Sequence, residues 1–254
     1  MKCSRHNGST INRSSQNVKS PHFNRPVVRG MTRIVAVNGS PKMEKGNTEP
    51  ILRAFLDGAR DAGAEIEVLY AKRMKIEPCR GEFQCWGSKP GECVIKDEMQ
   101  SIYPVLKRAD ILVLAMPVYA PLPGEMQTFL NRLMPLIDAS SLSIKEGRTR
   151  ARPRAGVRIS KIVLVSSAGW WEKENMDTVI RAASELAENM NIEFSGALLR
   201  PHSDLLERGG PKVDKVLRSA RECGQALVKN GKMSKAMLEA VAAPLVSREE
   251  WMKN

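Results

Sequence analysis

The sequence predicts an α/β domain in which helices cover both faces of a parallel sheet. Three observations carry this. Five short apolar segments have the length and β-branched content of buried strands. Segments with helical spacing of apolar residues alternate with them, which is the pattern of βαβ units. No apolar run approaches the ~20 residues of a membrane span, and 42% hydrophobic with 27% charged residues is ordinary for a globular chain of 254 residues.

Residues 1–30 hold six basic residues and no acid, with no apolar periodicity, and are expected to be a disordered basic extension. An organelle transit peptide has a similar composition. Met31 is a natural alternative start before the first strand. Residues 33–38 form that strand, a continuous apolar run. Ile51, Leu52, Phe55, Leu56 and Ala59 place a helix over 48–62. Residues 65–70 are a second strand. A long loop bearing Cys79, Cys85 and Cys93 follows, over about 75–98. A helix over 98–108 and the most apolar strand, 110–116, come next. Met126, Phe129, Leu130, Leu133, Met134 and Ile137 place an amphipathic helix over 124–137. The stretch 140–160 reads as a polar, basic, irregular loop. A fourth strand at 161–166, a helix over 173–190, a fifth strand at 192–199 and a helix over 211–230 complete the domain. Residues 231–254 read as a mixed tail. Two strand orders suit such a chain, a six-stranded dinucleotide-binding type and a five-stranded type. There is no internal repeat and no second domain.

The net charge of +12 is concentrated in two places. One is the extension. The other runs from Lys145 to Lys161, where seven basic residues face only Glu146. The remainder of the chain is balanced. A nucleic-acid or anion-binding module using the tail and loop is thus the least favoured reading, since such proteins usually carry charge on a folded face. The basic stretch is either a solvated loop or a surface for a phosphate-bearing ligand or an acidic partner. Five cysteines do not make a disulfide framework, and their clustering reads as a reduced, cytoplasmic setting with metal or redox chemistry.

In an open parallel sheet, ligands bind beyond the carboxyl ends of the strands. After strand one comes Gly39-Ser40-Pro41-Lys42-Met43-Glu44-Lys45-Gly46-Asn47-Thr48. It is neither a Walker A loop nor Gly-x-Gly-x-x-Gly. Small hydroxyl and amide residues with lysines at a helix start suit a monoester phosphate. They also suit an ordinary N-cap at Asn47 or Thr48. After strand three, Pro117-Val118-Tyr119-Ala120-Pro121-Leu122-Pro123 is stiffened by three prolines. It could hold the edge of a flat ring, or simply connect. After strand four, Ser167-Ala168-Gly169-Trp170-Trp171 gives close backbone access followed by a tryptophan pair. Both tryptophans cannot easily point inward, so at least one is expected to cover a ligand or a partner.

Together these loops resemble the flavodoxin-like NAD(P)H-dependent FMN reductases, and specifically their iron–sulfur flavoprotein branch. The resemblance spans roughly residues 32–205 and includes Asn38-Gly39-Ser40-Pro41-Lys42, Gly46-Asn47-Thr48, Pro117-Val118-Tyr119, Ser167-Ala168-Gly169-Trp170, Pro78-Cys79 through Cys93, and Pro201-His202. It implies a flavodoxin-like five-stranded sheet over residues 31–230. It implies bound FMN, with the phosphate on Ser40, Lys42, Gly46, Asn47 and Thr48. The isoalloxazine would lie along Pro117, Val118, Tyr119 and Ala120 and the turn Ser167, Ala168, Gly169, Trp170. It implies a dimer or tetramer, NAD(P)H as co-substrate, and a small-molecule or redox-protein acceptor. The activity expected is that of an FMN-dependent oxidoreductase, with no side chain acting as acid or base.

The branch carries four cysteines in its loop. This chain has Cys79, Cys85 and Cys93, with Glu82 where the second cysteine belongs. A [4Fe–4S] cluster takes four thiolates, and carboxylate is a hard, poor partner for such iron. A four-iron cluster, a three-iron cluster, zinc with a fourth ligand, a redox thiol and cluster-free remnants all remain open. With a cluster, the protein would be an electron-transfer iron–sulfur flavoprotein. Cys223 is expected as a small core residue.

Overall fold

A computed structural model describes residues 30–253. The 1–30 extension therefore lies almost wholly outside the described residues. Five strands form one parallel sheet: β1 (Arg33–Asn38), β2 (Glu65–Tyr70), β3 (Ile111–Pro117), β6 (Lys161–Ser167) and β7 (Glu193–Arg200). Their order is β2-β1-β3-β6-β7, the five-stranded doubly wound arrangement.

The apolar runs become central strands because both faces are covered. On one face, Ile34, Ala36, Val113, Ala115, Val163 and Val165 pack against α1 (Glu49–Asp61) and α5 (Pro211–Asn230). On the other, Val35, Val37, Leu112, Leu114, Ile162 and Leu164 pack against α2 (Met99–Arg108), α3 (Gly124–Asn131) and α4 (Asp177–Asn189). Alternate residues of each strand thus feed opposite cores, each large aliphatic side chain contributing roughly 1.5–3 kcal/mol when fully buried. α1 and α5 approach so closely that a Cβ on Gly58 would sit 1.8 Å from the Arg221 carbonyl oxygen. One on Gly224 would sit 1.9 Å from that of Phe55.

Three segments differ from the sequence reading. The helix expected over 124–137 stops at Asn131 and resumes as a single 3-10 turn, Met134–Leu136. Pro135 lacks the N–H that would continue it. The stretch 140–160 is not an irregular loop. It contains an antiparallel hairpin of β4 (Ile137–Lys145) and β5 (Arg148–Pro153). Glu146 and Gly147, both at positive φ, make its two-residue turn. The hairpin is pinned to α4 and its exit: Arg150 donates to Glu188 and Asn189, both at 2.9 Å, and Lys145 to Asn191 at 3.0 Å. Arg148 and Arg150 form ion pairs with Glu185 and Glu188 of α4. Finally, 231–254 is not a loose tail. α6 (Lys235–Ala242) and α7 (Arg248–Trp251) start at Ser234 and Ser247, whose hydroxyls accept from the N–H groups of Met237 and Glu250. Val241, Leu245 and Val246 are buried in the same core as α1 and α5. Among the described residues no helix is long and apolar enough to cross a membrane.

Candidate functional site

The loops after β1, β3 and β6 meet at the carboxyl edge of the sheet. β1 is followed by a helix on one face and β3 by helices on the other, so their loops diverge and leave a crevice between them.

Asn38, the last residue of β1, builds the first wall. It is fully buried. Its Oδ1 accepts from the Ser40 N–H at 2.8 Å, and its Nδ2 donates to Glu49 Oε2 at 2.8 Å. Glu49 in turn accepts from Arg53 at 2.8 Å and from the Tyr70 hydroxyl at 3.3 Å. The loop is therefore fastened to both the strand behind it and the helix after it. Gly46 is required for its closure, since a Cβ there would meet Ser40 Oγ at 2.3 Å. The Thr48 hydroxyl lies 2.7 Å from Ser167 Oγ in a buried pair that ties the first wall to the third. Thr48 is fully buried and makes no side-chain helix cap.

The other walls extend the ladder. Pro117 stands opposite Ser167 in the β3–β6 register. Beyond it, the Val118 N–H donates to the Ser167 carbonyl at 2.9 Å, and the Ala168 N–H to that of Arg200 at 3.0 Å. The resulting cleft measures about 160 Å3 and is lined by Ser40, Lys42, Gly46, Asn47, Pro117, Val118, Tyr119, Ser167, Ala168 and Gly169, together with Ser203. A side chain built on Gly169 would meet only open space. Tyr119 and Trp170 are exposed at the mouth. Ala120, Trp170 and Thr48 do not line the cleft, and Thr48 is buried against Ser167. Trp171 turns inward, its indole N–H donating to the Val246 carbonyl at 3.3 Å. Asn38 and Glu49 were not among the expected site residues, although both stand in or next to the motif. Ser203 was missed although it directly follows Pro201-His202, because that pair was given no binding role in the sequence reading.

A larger cavity, about 570 Å3, lies elsewhere, against the cysteine loop. Cys79, Glu82, Cys85 and Cys93 all line it. Cys79 is exposed, whereas Cys85 and Cys93 are buried. Burial pushes the Cys85 thiol above its ordinary pKa, reinforced by Cys93 and Glu82. Among the described residues no three His, Cys, Asp or Glu side chains gather as a metal site. The donors present, three thiols and one carboxylate, do not match the four thiolates of a [4Fe–4S] cluster.

Residues 32–162 match the family described as NADPH-dependent FMN reductase, just over half of the chain. The chain belongs to the NADPH-dependent FMN reductase family. Among curated relatives, an iron–sulfur flavoprotein of Archaeoglobus fulgidus is 32% identical over 114 residues, covering 44% of this chain and 50% of the relative. One from Methanosarcina thermophila is 29% identical over 102 residues, 39% of this chain and 51% of the relative. The chain thus spans about half the length of the curated relatives it matches. Among solved structures, an NAD(P)H:quinone oxidoreductase from Methanothermobacter marburgensis superposes with a TM-score of 0.55 at 18% identity, covering 78% of this chain and 98% of that one. An FMN-dependent NADH-azoreductase from Bacillus anthracis, solved with FMN, gives 0.54 at 12% identity, over 78% and 100%. These structural likenesses establish the flavodoxin-like fold. The family match covers the first two walls of the cleft and ends just inside β6.

Proposed function

We propose that this chain binds FMN in the cleft beyond β1, β3 and β6 and acts as a flavin-dependent oxidoreductase fed by NAD(P)H. The observation that carries the reading is convergence. Three loops some 50 to 80 residues apart in sequence, each suited to phosphate or ring binding, close on one cleft at the switch point of the sheet.

The residues fit the group. Ser40, Lys42, Gly46 and Asn47 would hold the phosphate: a hydroxyl, a cation, close backbone and an amide at the start of α1. Thr48 would act by fixing Ser167. Pro117, Val118, Tyr119 and Ala120 would border one side of the ring, and Ser167, Ala168, Gly169 and Trp170 the other. When bound, FMN supplies two-electron chemistry that accepts reducing equivalents from a nicotinamide and passes them to a small-molecule or protein acceptor. The chain positions the group, and no acid or base is required of it. The exposed rings of Tyr119 and Trp170 suit a homo-dimer or tetramer that closes the mouth. A second reading, single-electron traffic through a cluster in the cysteine loop, draws on the names of the curated relatives. The three thiols and Glu82 around one cavity do not fit that group, and no electron path through it forms part of the proposal.

The test is the visible spectrum of protein purified without oxygen, before and after NAD(P)H. A two-banded flavin spectrum that bleaches supports the reductase. Broad brown absorption beneath the flavin bands would favour the electron-transfer reading. A colourless protein that takes up no added FMN would overturn the assignment.

A further inference from the structure

In register with Ser167 of the cleft, and accepting from the Ala168 N–H, stands a buried arginine with no counter-ion among the described residues. Arg200, the last residue of β7, is fully buried. Its guanidinium donates to the carbonyls of Pro201 at 2.9 Å, Val241 at 2.9 Å and Ala242 at 3.4 Å. Its remaining neighbour is His202 Nε2 at 3.1 Å. Among the described residues no carboxylate pairs with it. Burial lowers its pKa only to about 10, so it stays charged at neutral pH.

His202 is not the missing counter-ion. The Leu245 N–H donates to its Nε2 at 3.1 Å, so that nitrogen carries the lone pair and the proton is assigned to Nδ1. Nδ1 is buried, with only the Trp171 backbone near it and no hydrogen bond of good geometry. Burial, then the charge of Arg200, holds the imidazole neutral, with a pKa of about 4. His202 also adopts a left-handed backbone at φ 39°, uncommon for a non-glycine residue. The conformation is held by neighbours that belong to the cleft. The His202 N–H donates to the Trp170 carbonyl at 2.7 Å, and the Ser203 N–H to that of Ala168 at 2.9 Å. Carbonyls and a neutral imidazole satisfy the donors of Arg200 without cancelling its charge, an unfavourable arrangement that an ordinary anchor would avoid.

We propose that Arg200 sets the redox poise of flavin in this cleft, its charge favouring the reduced ring over the oxidised one. The inference rests on the FMN reading above. In the reduction, two electrons and one proton pass from the nicotinamide to the neutral oxidised ring. The ring is left with one negative charge and the nicotinamide with one positive. Arg200 exchanges no proton and acts through space on the ring's new charge, in a site where low polarity weakens screening.

The test is the ratio of affinities for reduced and oxidised FMN, read from the dissociation constant of oxidised FMN and the midpoint potential of the complex against a reference dye. Arg200→Met removes the charge, and Arg200→Lys keeps it while disturbing the hydrogen bonds. Ala242→Asp leaves Arg200 in place and supplies the carboxylate it lacks, so the test survives if Arg200→Met fails to fold. We expect Arg200→Met and Ala242→Asp each to lower the ratio about tenfold, about 30 mV for a two-electron couple, with Arg200→Lys near the wild type. If Arg200 only anchors the carboxyl-terminal segment, melting temperatures fall while the ratio in Arg200→Met and Ala242→Asp stays at the wild-type value, and the proposal is overturned. A wild-type protein that binds no FMN would overturn the cleft assignment and this inference together. An unchanged ratio would remove only the role of Arg200.

Discussion

Asn38 and Gly46 show how much of the candidate site depends on atoms that need not touch a ligand. Asn38 spends its amide on the Ser40 N–H and on Glu49. Asn38→Ala should therefore loosen the loop and leave part of the Glu49 carboxylate unpaired, at about 1–3 kcal/mol of stability. Gly46→Ala forces a methyl group into the space of Ser40 Oγ. Its expected effect is local: FMN affinity lower by at least about tenfold, in line with the overpacking cost of a tight site, and a nearly unchanged melting temperature. Quenching of FMN fluorescence on titration checks the first, and thermal unfolding the second. Retained affinity in Gly46→Ala would show that the phosphate does not lie on this loop. The cysteines make a separate prediction. Cys79 is exposed, whereas Cys85, Cys93 and Cys223 are buried, and burial raises the pKa of both Cys85 and Cys223. Of these four, a maleimide should label Cys79 in the native protein and the others only on unfolding, read by peptide mass mapping.

At the level of elements, the central strands and long helices were legible because their signal is local. An apolar run of six or seven residues between turn signals has few alternatives, and the α5 limits read from the sequence match those observed. The hairpin was not legible. Its turn is Glu146-Gly147 rather than Asn-Gly or Asp-Gly, and its strands are stabilised by pairing with Glu188 and Asn189, about forty residues away. The carboxyl-terminal helices carried a readable signal in Ser247-Arg-Glu-Glu250, a capping pattern. The helix it opens is four residues long, too short to show an apolar period. The α1–α5 contact yields a prediction at this scale. Gly224→Val places a branched side chain where even a Cβ would lie 1.9 Å from the Phe55 carbonyl oxygen. The helices must separate, with an expected loss of about 3 kcal/mol. A lower urea midpoint with an unchanged slope checks it, and a midpoint equal to the wild type would refute the close packing.

Across the whole molecule, acid stability follows from a half-buried carboxylate and a buried imidazole. Burial alone would raise the pKa of Asp97. The Arg132 guanidinium, at 2.6 and 2.9 Å, and the backbone N–H groups of Glu77 and Met99 outweigh it and hold the carboxyl below its ordinary value. A depressed carboxylate contributes stability above the ordinary carboxylate range and loses it as pH falls below that range. His202, pushed down to about 4 by burial and Arg200, remains neutral in the folded state while the unfolded chain takes up a proton from about pH 6.5 downward. Stability should thus decline in two stages as pH falls, first between about 6.5 and 4 through His202, then below 4 through Asp97. Melting temperatures from pH 7 to 3 check this, and a flat profile between 6.5 and 4 would contradict the buried neutral imidazole. Asp97→Asn should cost about 3–5 kcal/mol at neutral pH, because it strands the buried Arg132 charge.

By itself, the sequence determined the α/β class, the five strands and the three loops, since periodicity, apolar runs and turn residues act over a few neighbouring positions. It also marked nearly all of the residues that line the cleft. Tertiary structure decided what depends on groups brought together from afar. It put Ser203, next to Pro201-His202, into the cleft, and it buried Thr48 against Ser167. It paired Arg148 and Arg150 with α4, and it set Arg200, which has no carboxylate partner among the described residues, against carbonyls of a segment that read as a tail. Charge and burial are properties of surroundings, and the surroundings of a residue exist only once the chain has folded.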